Sequence, residues 1–193
     1  MENYFRTLPE GYREVKVVDA KDKKTATLFT VFSLVFMFLA ALPTVLSCNY
    51  EEVRRSISPL DFLVFLASYV CYIVLHELTH GAAYKALTHQ KLTFGFTFTV
   101  AFCGVPDIYT SRKTALIALA APFLTYSAIL IPLTVYLHGV SMKLFFACGI
   151  LFALHFGGCV GDLYMMKLLL FKYKDARTLI KDTGPKQTIY MHF

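Results

Sequence analysis

The sequence predicts an α-helical integral membrane protein with about four transmembrane helices and a short β-strand or hairpin element between the second and third. Three observations predict it. Hydrophobic residues make up 56% of the chain, with 18 Phe and a mean hydropathy of +0.55, against 17% charged residues. The charges gather at the ends and in short connectors, leaving four apolar stretches, each long enough for a helix of about 20 residues to cross a bilayer. One stretch between them switches to a period of two, the spacing of a strand.

Taken in order, residues 1–24 are polar and of mixed charge, with a turn at Leu8-Pro9-Glu10-Gly11-Tyr12 and a short strand expected over Val15–Val18. This stretch is too long and too acidic for the charged head of a signal peptide, so it reads as a retained segment. Thr25–Ser47 carries no charge and forms the first span. The connector Cys48–Pro59 contains Glu51, Glu52, Arg54 and Arg55, and a second span runs from about Leu60 to Tyr84. From Leu92 to Phe102, apolar Leu92, Phe94, Phe96, Phe98, Val100 and Phe102 alternate with Thr, Gly or Ala, which predicts a strand. Its backbone groups need partners beside a bilayer, so a hairpin or an edge open to another chain is expected. The third span covers about Thr114–Leu137, with Pro122 and Pro132 as expected kinks; after the His138-Gly139 turn the fourth covers about Met142–Met166. The chain thus divides into an N-terminal segment 1–24, a four-helix membrane domain 25–166 and a basic tail 167–193 ending in a turn and a short strand.

The formal net charge of +6 does not point to nucleic acid, because the Lys and Arg flank apolar runs and form no basic-aromatic motif. They set topology instead. Lys16, Lys21, Lys23 and Lys24 precede the first span; Lys85, Lys91, Arg112 and Lys113 lie between the second and third; the other side has only Arg54, Arg55 and Lys143. Both termini are therefore expected in the cytoplasm. The 5 cysteines are scattered, without a C-x-x-C pair, which argues against a disulfide framework or a thiolate metal site.

The chemistry concentrates at His76-Glu77-Leu78-Thr79-His80, near the end of the second span. Two histidines four apart share a helix face and can grip one zinc ion, and the intervening Glu77 can serve as base toward a water molecule. Ionisable groups in a membrane-like segment are costly and mark function. A catalytic zinc needs a third protein ligand, and no glutamate follows Glu77. Of the later acids, Asp107, Asp162, Asp175 and Asp182, only Asp162 lies inside a span. At 1.5 Å of rise per residue, His76 and His80 lie about 24–30 Å into the second span and Asp162 about 30 Å into the fourth. Both spans run outward to inward, so the depths agree. Gly157 and Gly161 form a G-x-x-x-G pair suited to close helix approach. His155, two turns before Asp162, is a candidate alternative ligand, a candidate catalytic group stabilising an oxyanion, or a hydrogen-bonded structural histidine. The Asp182-Thr183-Gly184 triplet reads as a surface turn, and His89, His138 and His192 lie outside the site.

These residues carry a resemblance. The HELTHG segment at His76–Gly81, the phenylalanine-rich strand, ALAAP at Ala118–Pro122 and HFGGCVGD at His155–Asp162 resemble the bacterial putative zincin peptidases, a family of small membrane proteins. In outline the chain is also similar to the site-2 protease group of intramembrane metalloproteases, although here the Asp follows a glycine cluster and precedes Leu163. The resemblance implies one zinc ion held by His76, His80 and Asp162, Glu77 as general base, and hydrolysis of membrane or membrane-proximal proteins at the cytoplasmic face of a bacterial cell membrane. The partners it implies are a membrane protein or peptide substrate and the lipid bilayer. A non-enzymatic metal-binding or adaptor protein, a pseudoprotease, is the alternative.

Overall fold

The computed structural model describes residues 2–96 and 101–193. In chain order its elements are β1 (Tyr4–Phe5), β2 (Tyr12–Asp19), α1 (Lys23–Ser47), α2 (Tyr50–Ser56), α3 (Pro59–Thr88), β3 (Thr93–Phe96), β4 (Ala101–Gly104), β5 (Tyr109–Ser111), α4 (Arg112–His138), α5 (Met142–Gly158), α6 (Val160–Lys167), a π-helical turn (Leu168–Lys172), β6 (Leu179–Asp182) and β7 (Lys186–His192). Helices α1, α3 and α4 are each long and apolar enough to cross a membrane, and a bent pair of α5 with Val160–Lys172 brings the total to four if it counts as one span.

The elements fall into two compact units. The first comprises Met1–Phe29, Val74–Pro122 and Gly161–Phe193. Its frame is a five-stranded antiparallel sheet in the order β1-β5-β6-β7-β2. Both ends of the sequence enter this sheet, through β1 and β2 at its edges and β6 and β7 within it. The register runs Tyr4 opposite Thr110, Leu179 opposite Tyr190, and Tyr12 opposite His192. β2 ends the sheet as a charged edge, with Arg13, Glu14 and Lys16 and an irregularity between Glu14 and Lys16, features that discourage further pairing. Val18, Ile180 and Ile189 of the sheet form one core with Ala115 and Leu119 of α4 and with Met165, Leu169 and Tyr173. A second core joins Tyr84, Val105, Ile108 and Ala118. Asn3 ties the start of the chain to both neighbours: its side chain donates to the Leu87 carbonyl at 2.9 Å, and its own carbonyl accepts from the Ser111 N–H at 2.9 Å.

The second unit comprises Thr30–Ile73 and Phe123–Val160. Its helix starts are set by short polar residues. Asn49 caps α2 by accepting from the Glu52 N–H, and Ser58 and Asp61 cap α3 reciprocally, Asp61 accepting from the Ser58 N–H at 2.8 Å. Pro59 takes the first helical position, where no backbone N–H is needed. Lys143 of α5 donates to Asp61 at 2.9 Å.

Two expectations are refined here. The strands are not confined to the stretch between the second and third spans: most belong to the five-stranded sheet built from both ends. The Leu92–Phe102 run forms a hairpin, with Thr93 opposite Gly104 and Phe96 opposite Ala101, while its residues 97–100 lie outside the described ones. The expected fourth span is broken at Cys159 between α5 and α6. Gly157 lies against the Ser33 carbonyl and Met37, where a Cβ would come within 2.8 Å and 3.1 Å, as close helix approach requires; Gly161 has only ordinary contact with Phe29.

Candidate metal centre

Helix α3 runs unbroken through the HExxH segment, so His76 and His80 stand one turn apart on one face, both buried, with ring centroids 5.0 Å apart. Asp162 reaches them from the first turn of α6. Its Oδ2 lies 3.4 Å from Nε2 of His76 and 3.4 Å from Nε2 of His80. The three donor atoms lie within 4.8 Å of one another.

The orientation of His80 is set from behind. Its Nδ1 lies 2.8 Å from the carbonyl of Ala118. A carbonyl only accepts, so Nδ1 carries the proton, which leaves Nε2, on the Asp162 side, as the nitrogen that could bind a metal. A backbone carbonyl behind a ligating imidazole is the usual outer support of a metal histidine. The arrangement fits a cation: charge-assisted N–H···O bonds are about 2.7–2.9 Å, shorter than either 3.4 Å separation. Two ligands roughly 2.0–2.1 Å from a tetrahedral zinc stand about 3.4 Å apart, which matches. His76, His80 and Asp162 could therefore hold one metal ion. Two imidazoles and a carboxylate are a zinc-type donor set that leaves a coordination position open.

Glu77 projects from the same turn of α3 and is partly buried; the backbone N–H of Cys103 in β4 hydrogen-bonds its carboxylate. The β3–β4 hairpin can approach this closely because residue 81 is Gly. A Cβ there would come within 2.7 Å of the Phe94 ring and 3.1 Å of Leu92.

His155 belongs to the second unit, where it is fully buried. Its Nδ1 lies 2.7 Å from the Tyr72 hydroxyl and 3.6 Å from Cys159 Sγ, and its Nε2 lies 3.1 Å from the Ser127 hydroxyl. Phe123, Tyr126 and Phe152 surround the ring. His138 and His192 are exposed, as is His89, which sits just past α3 with a φ of 56°.

Sequence reasoning missed two neighbours of the centre. Tyr84 is buried, one turn beyond His80 on the same face, and its hydroxyl donates to Asp182 Oδ2 at 2.8 Å. Its spacing of four from His80 was the available signal. Asp182, expected in a surface turn, is 2% exposed and sits at the end of β6. Burial pushes its carboxyl up to about 6. The turn itself is real, since Gly184 has a φ of 93° and the Thr183 N–H donates to the Lys186 carbonyl, but its acid points inward because a buried tyrosine hydroxyl awaits it.

Residues 69–177 match the model of a family described as "Putative zincin peptidase". Neither a curated protein nor a solved structure matches the chain.

Proposed function

The chain belongs to the putative zincin peptidase family, and from that premise we propose that it is a membrane-embedded zinc metallopeptidase that hydrolyses membrane or membrane-proximal proteins near the cytoplasmic face. The observation that carries this reading is the common 3.4 Å separation of both histidine Nε2 atoms from one Asp162 oxygen. His76, His80 and Asp162 would hold the zinc. When bound, zinc supplies a Lewis acid for the scissile carbonyl and makes a water nucleophilic at neutral pH. Glu77 would serve as the general base, taking a proton from the attacking water and returning it to the leaving amine, a role that demands hydrogen-bond reach in the substrate complex. The Cys103 N–H holds the Glu77 carboxylate on the hairpin side of α3. The Ala118 carbonyl keeps the His80 proton on Nδ1, so that Nε2 remains a ligand.

The sheet supports the membrane reading. β2 precedes α1, β5 follows α3, and β6 follows the α5–α6 pair, yet all three share one sheet. A hydrogen-bonded sheet lies in one compartment, so an even number of crossings must separate each of these strands. That condition holds if α1, α3, α4 and the bent pair each cross once, which favours four spans over three. The Lys and Arg excess beside these strands supports placing that compartment in the cytoplasm. Large apolar side chains on the long helices support lipid contact, among them Leu34, Phe38, Phe62 and Val135, all more than half exposed.

Metal analysis of the purified chain tests the proposal. One zinc per wild-type chain is expected, with at least a tenfold loss of affinity in His80→Ala and in Asp162→Ala. Glu77→Gln is expected to keep the zinc while proteins accumulate in its host membranes that the wild type removes. Zinc without any such difference would identify a non-enzymatic metal-binding protein instead, and wild type that binds no zinc would sink both readings.

A further inference from the structure

The Asp182-Thr183-Gly184 turn takes no part in the chemistry above, lies outside residues 69–177 of the family match, and yet buries a carboxylate beside the metal helix. We propose that Asp182 is a positioning residue for Glu77, acting through Tyr84 of α3 and the backbone of β4; the inference rests on the peptidase reading of the site.

Asp182 joins three elements. Its Oδ2 accepts from the Tyr84 hydroxyl at 2.8 Å and from Gln187 Nε2 at 3.0 Å, and its Oδ1 accepts from the Gly184 N–H at 2.9 Å. Its main-chain carbonyl accepts from the Val105 N–H at 2.9 Å. Tyr84 lies two turns along α3 from Glu77, so the side-chain bond fixes the turn to the helix that carries the base. Val105 directly continues β4, so the main-chain bond fixes the turn to the strand that holds the base. Along an extended strand, N–H groups two residues apart point the same way. Cys103 therefore directs its N–H to the side on which Val105 meets Asp182, and there it binds the Glu77 carboxylate.

The packing between these bonds leaves no slack. Gly104 lies directly on the backbone of Thr183 and Gly184, and Gly184 lies directly under the Phe102 ring, so a Cβ at either position would overlap its neighbour. Gly184 also has a φ of 93°, which L side chains rarely adopt. The place of the Cys103 N–H relative to α3 is thus set by two links that share one residue. An aspartate suits the role, since two acceptor-only oxygens serve three donors; an asparagine would turn one of them into a donor. A misplacement of about 1 Å at a reacting group can cost on the order of 100-fold in rate.

The test uses the full chain in detergent micelles with zinc bound and fluorescein-labelled casein as probe substrate. Tyr84→Phe and Asp182→Asn are expected to keep one zinc per chain, to lose tenfold or more in kcat and to change KM less than twofold. Asp182→Asn added to Glu77→Gln is expected to cost nothing beyond Glu77→Gln alone, because both changes remove one device. Amide hydrogen exchange across 101–105 is expected to accelerate at least tenfold in Asp182→Asn, with Tyr84→Phe as the milder variant should Asp182→Asn fold poorly. Unchanged exchange in the folded variants overturns the proposal. So does an unchanged kcat, and so do losses that multiply in the double variant. A zinc-loaded wild type whose host membranes hold the same proteins as those of Glu77→Gln overturns the peptidase reading; faster exchange in Tyr84→Phe then still upholds the Asp182 link, and unchanged exchange removes it.

Discussion

His80 and His155 show how one residue type is put to two uses by its hydrogen-bond partners. His80 spends Nδ1 on the Ala118 carbonyl and turns Nε2 to the Asp162 carboxylate, whereas His155 meets the hydroxyls of Tyr72 and Ser127 with its two nitrogens. The HExxH spacing made His76, Glu77 and His80 legible, and the lack of later glutamates together with helix depth pointed to Asp162. Asp182 was not legible, because turn chemistry marks a reversal of the chain without saying which of its side chains becomes buried. Its burial has a measurable consequence. With the folded pKa raised to about 6 from an ordinary 3.8, the native state keeps a proton that the unfolded chain has released between those values. The stability it contributes is full below about pH 4 and is lost as pH rises through about 6. Asp182→Asn cannot ionise. The stability difference between wild type and variant should therefore move by on the order of 2–3 kcal/mol in favour of wild type as pH falls from neutral to about 4. Denaturant titrations of both proteins across that range would show it, and a pH-independent difference would falsify the assignment.

At the scale of elements, periodicity located the pieces better than it located their ends. The expected span from about Leu60 to Tyr84 is α3, Pro59–Thr88, and the expected span from about Thr114 to Leu137 is α4, Arg112–His138. The strand or hairpin expected over Leu92–Phe102 is a hairpin; both of its arms keep a period of two, so alternation alone does not choose between the two forms. The break at Cys159 follows a pair of glycines, Gly157-Gly158, whose low helix propensity was visible, but the start of α6 next to Asp162 depended on packing. At Gly81 the helix and the hairpin meet closely. Gly81→Val would drive a branched side chain into Phe94 and Leu92, and we expect it to destabilise the protein by about 1–3 kcal/mol. Limited proteolysis should then find the hairpin cut sooner than in wild type; equal cleavage rates would show that the hairpin does not need this contact.

Across the whole molecule, the sheet gathers β1 and β2 from one end of the chain and β6 and β7 from the other around β5. A metal held by α3 and α6 would add a further tie within the same unit. Because the ligand atoms converge only in the folded chain, zinc binding should stabilise it. At free zinc about 1,000 times the dissociation constant the gain is roughly 4 kcal/mol. A chelator should accordingly lower the melting temperature of wild type and leave that of Asp162→Ala nearly unchanged; an equal response in both would place the metal elsewhere. What the sequence by itself determined are the properties carried by local spacing and composition: the long apolar helices, the HExxH face, the charge asymmetry and the alternating stretch. These follow from periods of 3.6 and 2 and from the cost of placing charge in an apolar run, which neighbouring residues express without reference to the rest of the chain. Only the tertiary structure decided that two-residue β1 finds β5 more than a hundred residues away, that Asp162 faces both histidines, and that Asp182 closes on Tyr84. Each is a contact between residues far apart in the chain, favourable only after the surrounding core has excluded water, and no local pattern records it.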